Sequence, residues 1–287
     1  VNIPFNNIAL IGKFQDREMR EHIVALAEFL RARHRHVFLE TETARCCEIS
    51  DYPIRTLTEF NGDVDLAIVL GGDGTMLGVA RALLEHQVPL LGINRGRIGF
   101  LTDISAQNML EDVAKVLAGD YSIEQRLMLH TKILRKGKLL GEGVALNDVV
   151  ISKGELAQLL GLEVMIDEQF VHRQRSDGLI VATPTGTTAY ALSAGGPILH
   201  SALEAITLVP ICPHTLSNRP IVIKSTSQVH VKLVDQAEAR IHFDGQLIAR
   251  LYQYDDVYIA RAAKMTRLLH PNGHCHYEML RKKLHWG

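Results

Sequence analysis

The sequence predicts an α/β plus all-β chain: an N-terminal domain on an open parallel sheet, then a C-terminal β-rich sandwich domain. Three observations predict it. Strand and helix signals alternate over the first hundred residues. The strand segments there are apolar on both faces, as a parallel sheet covered by helices requires. After about Gln125 the helical periodicity fades, and short strands with turns take over.

"NIALIG" is a short apolar run ending in Gly12, which reads as a buried strand. Met19, Ile23, Leu26 and Leu30 then recur at helical spacing. "HVFLE" and "DLAIVL" read as the second and third strands. Met76 to His86 reads as a helix with Leu77, Ala80, Leu83 and Leu84 on one side, and "VPLLGI" as the fourth strand. A helix over Asn108 to Leu117 connects to the second half. There, "LMLHTKIL" is followed by the turn "RKGK" and by "GEGVALNDVVIS". "LEVMIDEQFVH" places polar "DEQ" between apolar arms, a hairpin signal. "RPIVIKSTSQVHVKLV", "ARIHFDGQLIARLY" and "DVYIAR" continue the series, and the tail "EMLRKKLHW" reads as helical. The expected division is an α/β domain over 1–119, rejoined by a tail over 265–287, and a β-rich domain over 120–264.

The chain has 287 residues, 47% of them apolar, and a net charge of −1. That balance argues against a protein held on nucleic acid or an anionic membrane by bulk charge. No window holds ~18 consecutive apolar residues, so no transmembrane helix is expected, and "VNIPFNNIALIGKF" lacks the pattern of a signal peptide. Cys46, Cys47, Cys212 and Cys275 form no Cys-x-x-Cys pair. They read as free thiols of a reducing, cytoplasmic setting.

Four stretches carry chemistry. In "VLGGDGTMLG", a glycine turn between a strand and a helix presents N–H groups to an anion. Glycines permit positive φ and let a phosphate approach without a Cβ in the way. Asp73, repelled by a phosphate, must bind a metal, accept hydroxyl hydrogen bonds or take a proton from a nucleophile. In "SDGLIVATPTGTTAYALSAGGP", a hydroxyl-rich turn precedes a short helix over Ala189 to Ala194. Thr187 or Thr188 is placed to cap it, and Gly195, Gly196 and Pro197 to stop it. Tyr190 is either a core aromatic or a ring stacked on a base. "NDVV" sets Asn147 beside Asp148, an amide and a carboxylate suited to a base and ribose hydroxyls. "FDGQ" is a turn whose plain reading is a hairpin. The usual Gly-Lys-Ser/Thr and Gly-x-Gly-x-x-Gly nucleotide loops are absent.

Together "GGDGTML", "GINRGRIGFLTD", "LNDVV", "QRSDGLIVATPTGTTAYALSAGGPI" and "PICPHTLSNRPIVI" resemble the bacterial NAD kinase family. The resemblance implies a nucleotide-binding N-terminal domain. It also implies phosphoryl transfer from ATP to the 2′-hydroxyl of the adenosine ribose of NAD, giving NADP, with a divalent metal (Mg²⁺ or Mn²⁺) accompanying ATP. Asp73 matches the family's proton acceptor and Gly74 its neighbour in the NAD site. Asn147 and Asp148 match the pair that recognises adenosine. Arg175, Asp177, Thr188, Ala189, Tyr190, Ser193 and Gln246 match further dinucleotide contacts. Asp148 is often Glu in the family, and Thr187 often Ser. The resemblance further implies a homodimer or homotetramer whose site is completed across subunits, with "RPIVI" and "AITLVPI" as interface strands. A lipid kinase sharing the glycine loop and a non-catalytic NADP sensor are the competing readings. "HPNGHCH", with His270, His274, Cys275 and His276, has zinc-like ligand types but reads as a polar loop around Pro271, Asn272 and Gly273.

Overall fold

The structure, a computed structural model, describes residues 5–12, 19–60, 62–96, 99–154, 158–215, 217–273 and 275–286. The chain divides into two compact units, residues 1–125 with 264–287, and residues 126–263.

In the first unit the strands are β1 (Asn7–Gly12), β2 (His36–Glu40), β3 (Ile54–Arg55), β4 (Leu66–Leu70), β5 (Leu90–Asn94), β6 (Ile104–Ser105) and β7 (Tyr121–Arg126). The second unit builds β8 (Leu129–Arg135), β9 (Lys138–Ala145), β10 (Asp148–Lys153), β11 (Leu160–Ile166), β12 (Gln169–Ser176) and β13 (Gly178–Ala182). It continues with β14 (Ala205–Ile211), β15 (Ile221–Lys224), β16 (Val229–Leu233), β17 (Ala239–Phe243), β18 (Gln246–Leu251) and β19 (Asp256–Arg261). β20 (Thr266–Pro271) then returns to the first sheet. The helices are α1 (Arg20–Arg31), α2 (Thr41–Cys47), α3 (Asp73–Leu83), α4 (Met109–Leu117), α5 (Tyr190–Ser193) and α6 (His276–Leu284).

The first sheet runs β3-β2-β1-β4-β5-β20-β7, with β6 beside β5. The pairs from β3 through β20 are parallel. β4 and β5 are buried along their whole length, which explains why both read as unbroken apolar runs. Ile23, Leu26, Ala27 and Leu30 of α1 pack into the same core as Ile8, Leu10, Leu39 and Ile68. The strand order reverses between β1 and β4, the switch point at which open α/β sheets leave a crevice beyond their carboxyl ends. The "GGDG" turn leaves the carboxyl end of β4 there.

The second unit holds two six-stranded sheets, β15-β14-β13-β10-β17-β18 and β12-β11-β16-β19-β8-β9, with antiparallel pairing. Three hairpins close on two-residue turns with both residues at positive φ: Lys136-Gly137, Asp167-Glu168 and Asp244-Gly245. Positive φ at both central positions is the geometry whose twist matches that of the strands. The sheets meet where the Phe243 ring lies against Gly143, whose added Cβ would come within 2.9 Å of it.

Several expectations need correction. α2 carries no strong apolar periodicity and was not foreseen; the buried Glu40 carboxylate nucleates it by accepting from the N–H of Glu42 and Thr43 (2.9 and 2.8 Å). His270 lies in β20, buried, with its Nδ1 2.9 Å from Asp103 Oδ2, and is not in a polar loop. His274 of that segment, like Arg97 and Ile98 of "NRGRIG", lies outside the described residues. "AITLVPI" is β14, an interior strand buried along most of its length, so it has no free edge to offer a partner. "RPIVI" contributes β15, which is an edge.

Gly92 of β5 packs face-on against the loop that follows. A Cβ there would fall 2.5 Å from the Leu101 carbonyl oxygen. Backbone cannot step aside as a side chain can, so Gly92→Ala is expected to cost about 2–3 kcal/mol. Calorimetry checks this as a melting temperature lowered by roughly 5–10 °C.

Candidate functional site

In the first unit, Asp73 is the first residue of α3, with Gly72 as N-cap. A carboxylate there is favoured by the helix dipole. Its two oxygens are taken up by a loop almost thirty residues on. Phe100 N–H donates to Oδ2 (2.9 Å), and Leu101 N–H to Oδ1 (3.0 Å). The Thr102 hydroxyl lies 3.4 Å from Oδ1 and accepts from Asn94 Nδ2 at 2.9 Å. Oδ1 thus accepts twice, while Oδ2 accepts from Phe100 N–H and keeps a second lone pair for another donor.

The glycines of this turn are not there for positive φ. None of Gly71, Gly72 and Gly74 has it. Gly71 is required by contact, since its Cβ would meet the Thr75 hydroxyl at 2.5 Å. Gly72 and Gly74, on either side of Asp73 in the chain, have nothing within 4 Å of an added Cβ beyond their chain neighbours, so both leave open space where a side chain would stand. Gly99 answers to Asp73 itself: a Cβ there would sit 1.9 Å from Oδ1.

In the second unit, Asn147 and Asp148 sit where the chain enters β10. Asp244, in the turn between β17 and β18, holds this entry through three N–H groups. Leu146 N–H donates to Oδ2 (3.1 Å), while Asn147 and Asp148 N–H donate to Oδ1 (2.7 and 3.2 Å). The "TPTGTT" turn grips the same loop from another side. Thr183 Oγ1 donates to the Leu146 carbonyl (2.5 Å), and Thr183 N–H to the Asn147 carbonyl (2.9 Å). Gly186 lies so close that a Cβ would come 2.0 Å from the Asn147 oxygen. Arg126 Nη1 adds a bond to Thr185 Oγ1 (3.2 Å).

Asp148 is buried, and its carboxyl is pushed up to about 7, first by loss of water and then by the negative Asp244 nearby. It is thus divided between neutral and ionised forms near neutral pH.

The threonines do not cap a helix. Thr187 and Thr188 hydroxyls donate back to the Pro184 and Thr185 carbonyls (2.6 and 3.1 Å), as a 3₁₀ turn over Thr185–Thr188 allows. α5 that follows is a single turn with Ala189 as N-cap, and Gly195 at φ +83° ends it. Tyr190 is 47% exposed, so it is not a core aromatic. Ser193 and Gln246 are also exposed, and Gln246 opens the edge strand β18 directly after Asp244-Gly245.

Arg175 and Asp177 are not brought to this loop. Asp148 pairs with Ala182, whereas Ser152 pairs with Gly178. Four residues of strand, about 14 Å, therefore separate Asp148 from the start of β13. Asp177 forms an ion pair with Lys153 (2.8 Å). Arg175 lines a cavity of about 990 Å³ with Arg173, His214 and Gln236. Among the described residues, no three His, Cys, Asp or Glu side chains converge as metal ligands, and no helix is long and apolar enough to cross a membrane.

Sequence reading missed the Phe100–Thr102 loop as the partner of Asp73, and Asp244 as the partner of Asn147 and Asp148. The signal for Asp244 was present, because a turn Asp can use its carboxylate on neighbouring N–H groups. The loop it holds was not visible.

Comparisons with known proteins agree with this architecture. The model of the ATP-NAD kinase N-terminal domain matches residues 8–121, and that of the C-terminal domain residues 146–270. An NAD kinase of Thiobacillus denitrificans is 51% identical over 287 residues, covering 100% of this chain and 99% of that one. An NAD kinase of Aromatoleum aromaticum is 48% identical over 284 residues, covering 99% and 95%. The crystal structure of yeast NADH kinase with NADH aligns with a TM-score of 0.88 at 25% identity, over 98% of this chain and 86% of that one. An NAD kinase from Archaeoglobus fulgidus, solved with ATP, aligns with a TM-score of 0.75 at 25% identity, over 98% and 100%.

The raised Asp148 carboxyl has a cost in stability. The folded state holds its proton between pH 3.8 and about 7, where the unfolded state has released it. Stability therefore falls as pH rises through that window and levels off above it. From pH 5 to pH 8 the loss is about 3 kcal/mol. Asp148→Asn removes it, so the variant's melting temperature should exceed that of the parent by a margin widening by roughly 5–10 °C over that pH span. A margin independent of pH contradicts this origin.

Proposed function

The chain belongs to the NAD kinase family, and we propose that it transfers the γ-phosphoryl group of ATP to the 2′-hydroxyl of the adenosine ribose of NAD. The products are NADP and ADP. Asp73 carries the reading. It is a half-buried carboxylate held at the first turn of α3, with open space at Gly72 and Gly74 on either side of it in the chain.

The ribose hydroxyl is a weak nucleophile until its proton has an acceptor. As the bond from O2′ to the γ-phosphorus forms and the bond to the β,γ-bridging oxygen breaks, the hydroxyl proton passes to Asp73. The N–H bonds from Phe100 and Leu101 fix the carboxylate for that transfer and leave Oδ2 a lone pair for the proton. Asn147 and Asp148 recognise the adenosine part of the acceptor. Thr188, Ala189, Tyr190, Ser193 and Gln246 supply further dinucleotide contacts, supported by the exposure of Tyr190, Ser193 and Gln246. We assign the divalent ion to the substrate, as MgATP, where it would neutralise phosphate charge.

Asp177 precedes β13, whose first residue lies about 14 Å along the strand pair from Asp148, and Arg175 belongs to β12 of the other sheet. We assign them to the dinucleotide bound by a second copy of the chain, in a homodimer or homotetramer. Edge strands with exposed apolar side chains, Val222 on β15 and Leu247 and Ile248 on β18, support self-association. The absence of a Cys-x-x-Cys pair from the sequence suits a cytoplasmic location. Sedimentation at micromolar protein should show a dimer or tetramer. A fully active monomer contradicts the shared site.

Asp73→Asn tests the chemistry. An amide accepts at one oxygen only, so its NH₂ faces either Phe100 or Leu101 N–H, a local cost of about 1–3 kcal/mol. Catalysis should fall by much more than binding. The expected loss is ~10²–10⁴-fold in single-turnover rate, with NAD affinity changed by less than about tenfold. The loss should persist across a Mg²⁺ titration. Recovery at high Mg²⁺ makes Asp73 a metal ligand instead, and an unchanged rate removes it from the reaction.

A further inference from the structure

We propose that Asp244 is a positioning residue for the acceptor: its carboxylate gathers the N–H groups of Leu146, Asn147 and Asp148 and so fixes the direction in which the Asn147 and Asp148 side chains are presented. This rests on the reading of Asn147 and Asp148 as the adenosine-recognition pair. It adds a residue whose carboxylate acts on the backbone N–H groups of the recognition loop.

Three hydrogen bonds of 2.7–3.2 Å converge on one side chain from three consecutive residues almost a hundred positions away. Bonds to an ionised acceptor are stronger than neutral ones. The Asp244 N–H in turn donates to the Asp148 carbonyl (3.0 Å), so turn and loop are tied in both directions. Asp244 can do this because it sits at φ +47° beside Gly245 at +78°. That conformation is tolerated by Asp and Asn far better than by most residues. Thr183 and Gly186 close the other side of the loop.

The same geometry couples Asp244 to Asp148 electrostatically. Strand alternation places Val150 and Ser152 of β10, and Arg240 and His242 of β17, on the face that Asp148 and Asp244 share. His242 is held below its ordinary value by burial and then by Arg240, so it stays neutral above pH 6.5. β13 offers Ala182 opposite Asp148. The 183–187 turn offers hydroxyls, with Arg126 on Thr185. Asp244 is the charge that helps to keep the Asp148 proton in place up to about pH 7.

Steady-state kinetics of the full chain with NAD and MgATP, from pH 5.5 to 9, test this with three variants. Asp244→Asn preserves the favoured Asn-Gly turn but removes the charge and one acceptor oxygen. The KM for NAD should rise roughly 10–100-fold, with the KM for ATP little changed. The midpoint of the KM(NAD) profile, near pH 7 in the parent, should move to lower pH. Asp244→Glu keeps a charge but displaces the oxygens, so it should raise KM(NAD) without that acid shift. Asp148→Asn should abolish the midpoint. Unchanged KM(NAD) and midpoint in Asp244→Asn overturn the proposal. So does a parallel rise of both KM values with the midpoint unmoved, which is the mark of a merely structural turn. If Asp148→Asn leaves KM(NAD) and its pH profile intact, the adenosine-recognition reading fails first and the proposal falls with it, a pattern distinct from failure at Asp244 alone.

Discussion

An aspartate carboxylate that collects backbone N–H groups from a loop far away in sequence is the interaction on which the candidate site residues of each unit depend. Asp73 does this with Phe100 and Leu101, and Asp244 with Leu146, Asn147 and Asp148. A loop is held by few buried apolar contacts, so a charged acceptor with several N–H donors is an effective way to fix its path. In each case the aspartate sits on a rigid element: the first turn of α3 at the sheet's switch point, or the tight β17–β18 turn. The rigid element lends its precision to the loop.

Close backbone packing then dictates the glycines. Gly99 accommodates the Asp73 carboxylate, Gly92 the Leu101 carbonyl, and Gly186 the Asn147 carbonyl. These positions need the absence of a Cβ and not an unusual φ. Gly72 and Gly74 have the opposite character, with free space where a Cβ would stand. Crowding at some glycines and openness at others distinguishes residues that build a loop from residues that leave room for a ligand.

Much of the architecture could be read from sequence because its signals are local. The runs that became β4 and β5 were apolar throughout, as strands buried on both faces must be. Hairpins announced themselves through "DEQ" and "RKGK", where a turn pair needs positive φ. Asp73 stood out as a charge in an apolar setting, although its glycine neighbours do not take the positive φ expected of them. What stayed hidden was non-local. β20 is six residues long and gains its place by pairing with β5, some 180 residues earlier. α2 depends on a single buried cap, Glu40, and not on periodicity. The role of Asp244 depends on a loop nearly a hundred residues away. The threonine-rich turn was recognised for its composition, yet its hydroxyls bond backward to carbonyls and do not cap α5.

The proposed activity reduces to one chemical event, formation of a bond between the 2′-oxygen of the adenosine ribose and the γ-phosphorus of ATP. Incubation of the chain with NAD and ATP labelled with ¹⁸O in the γ-phosphoryl group, followed by mass spectrometry and ³¹P NMR of the dinucleotide product, tests it most directly. The account predicts one labelled phosphate, carried intact from ATP and attached at the 2′-position of the adenosine ribose. A phosphate on the nicotinamide ribose, or no phosphorylated dinucleotide while ATP is consumed, would contradict it.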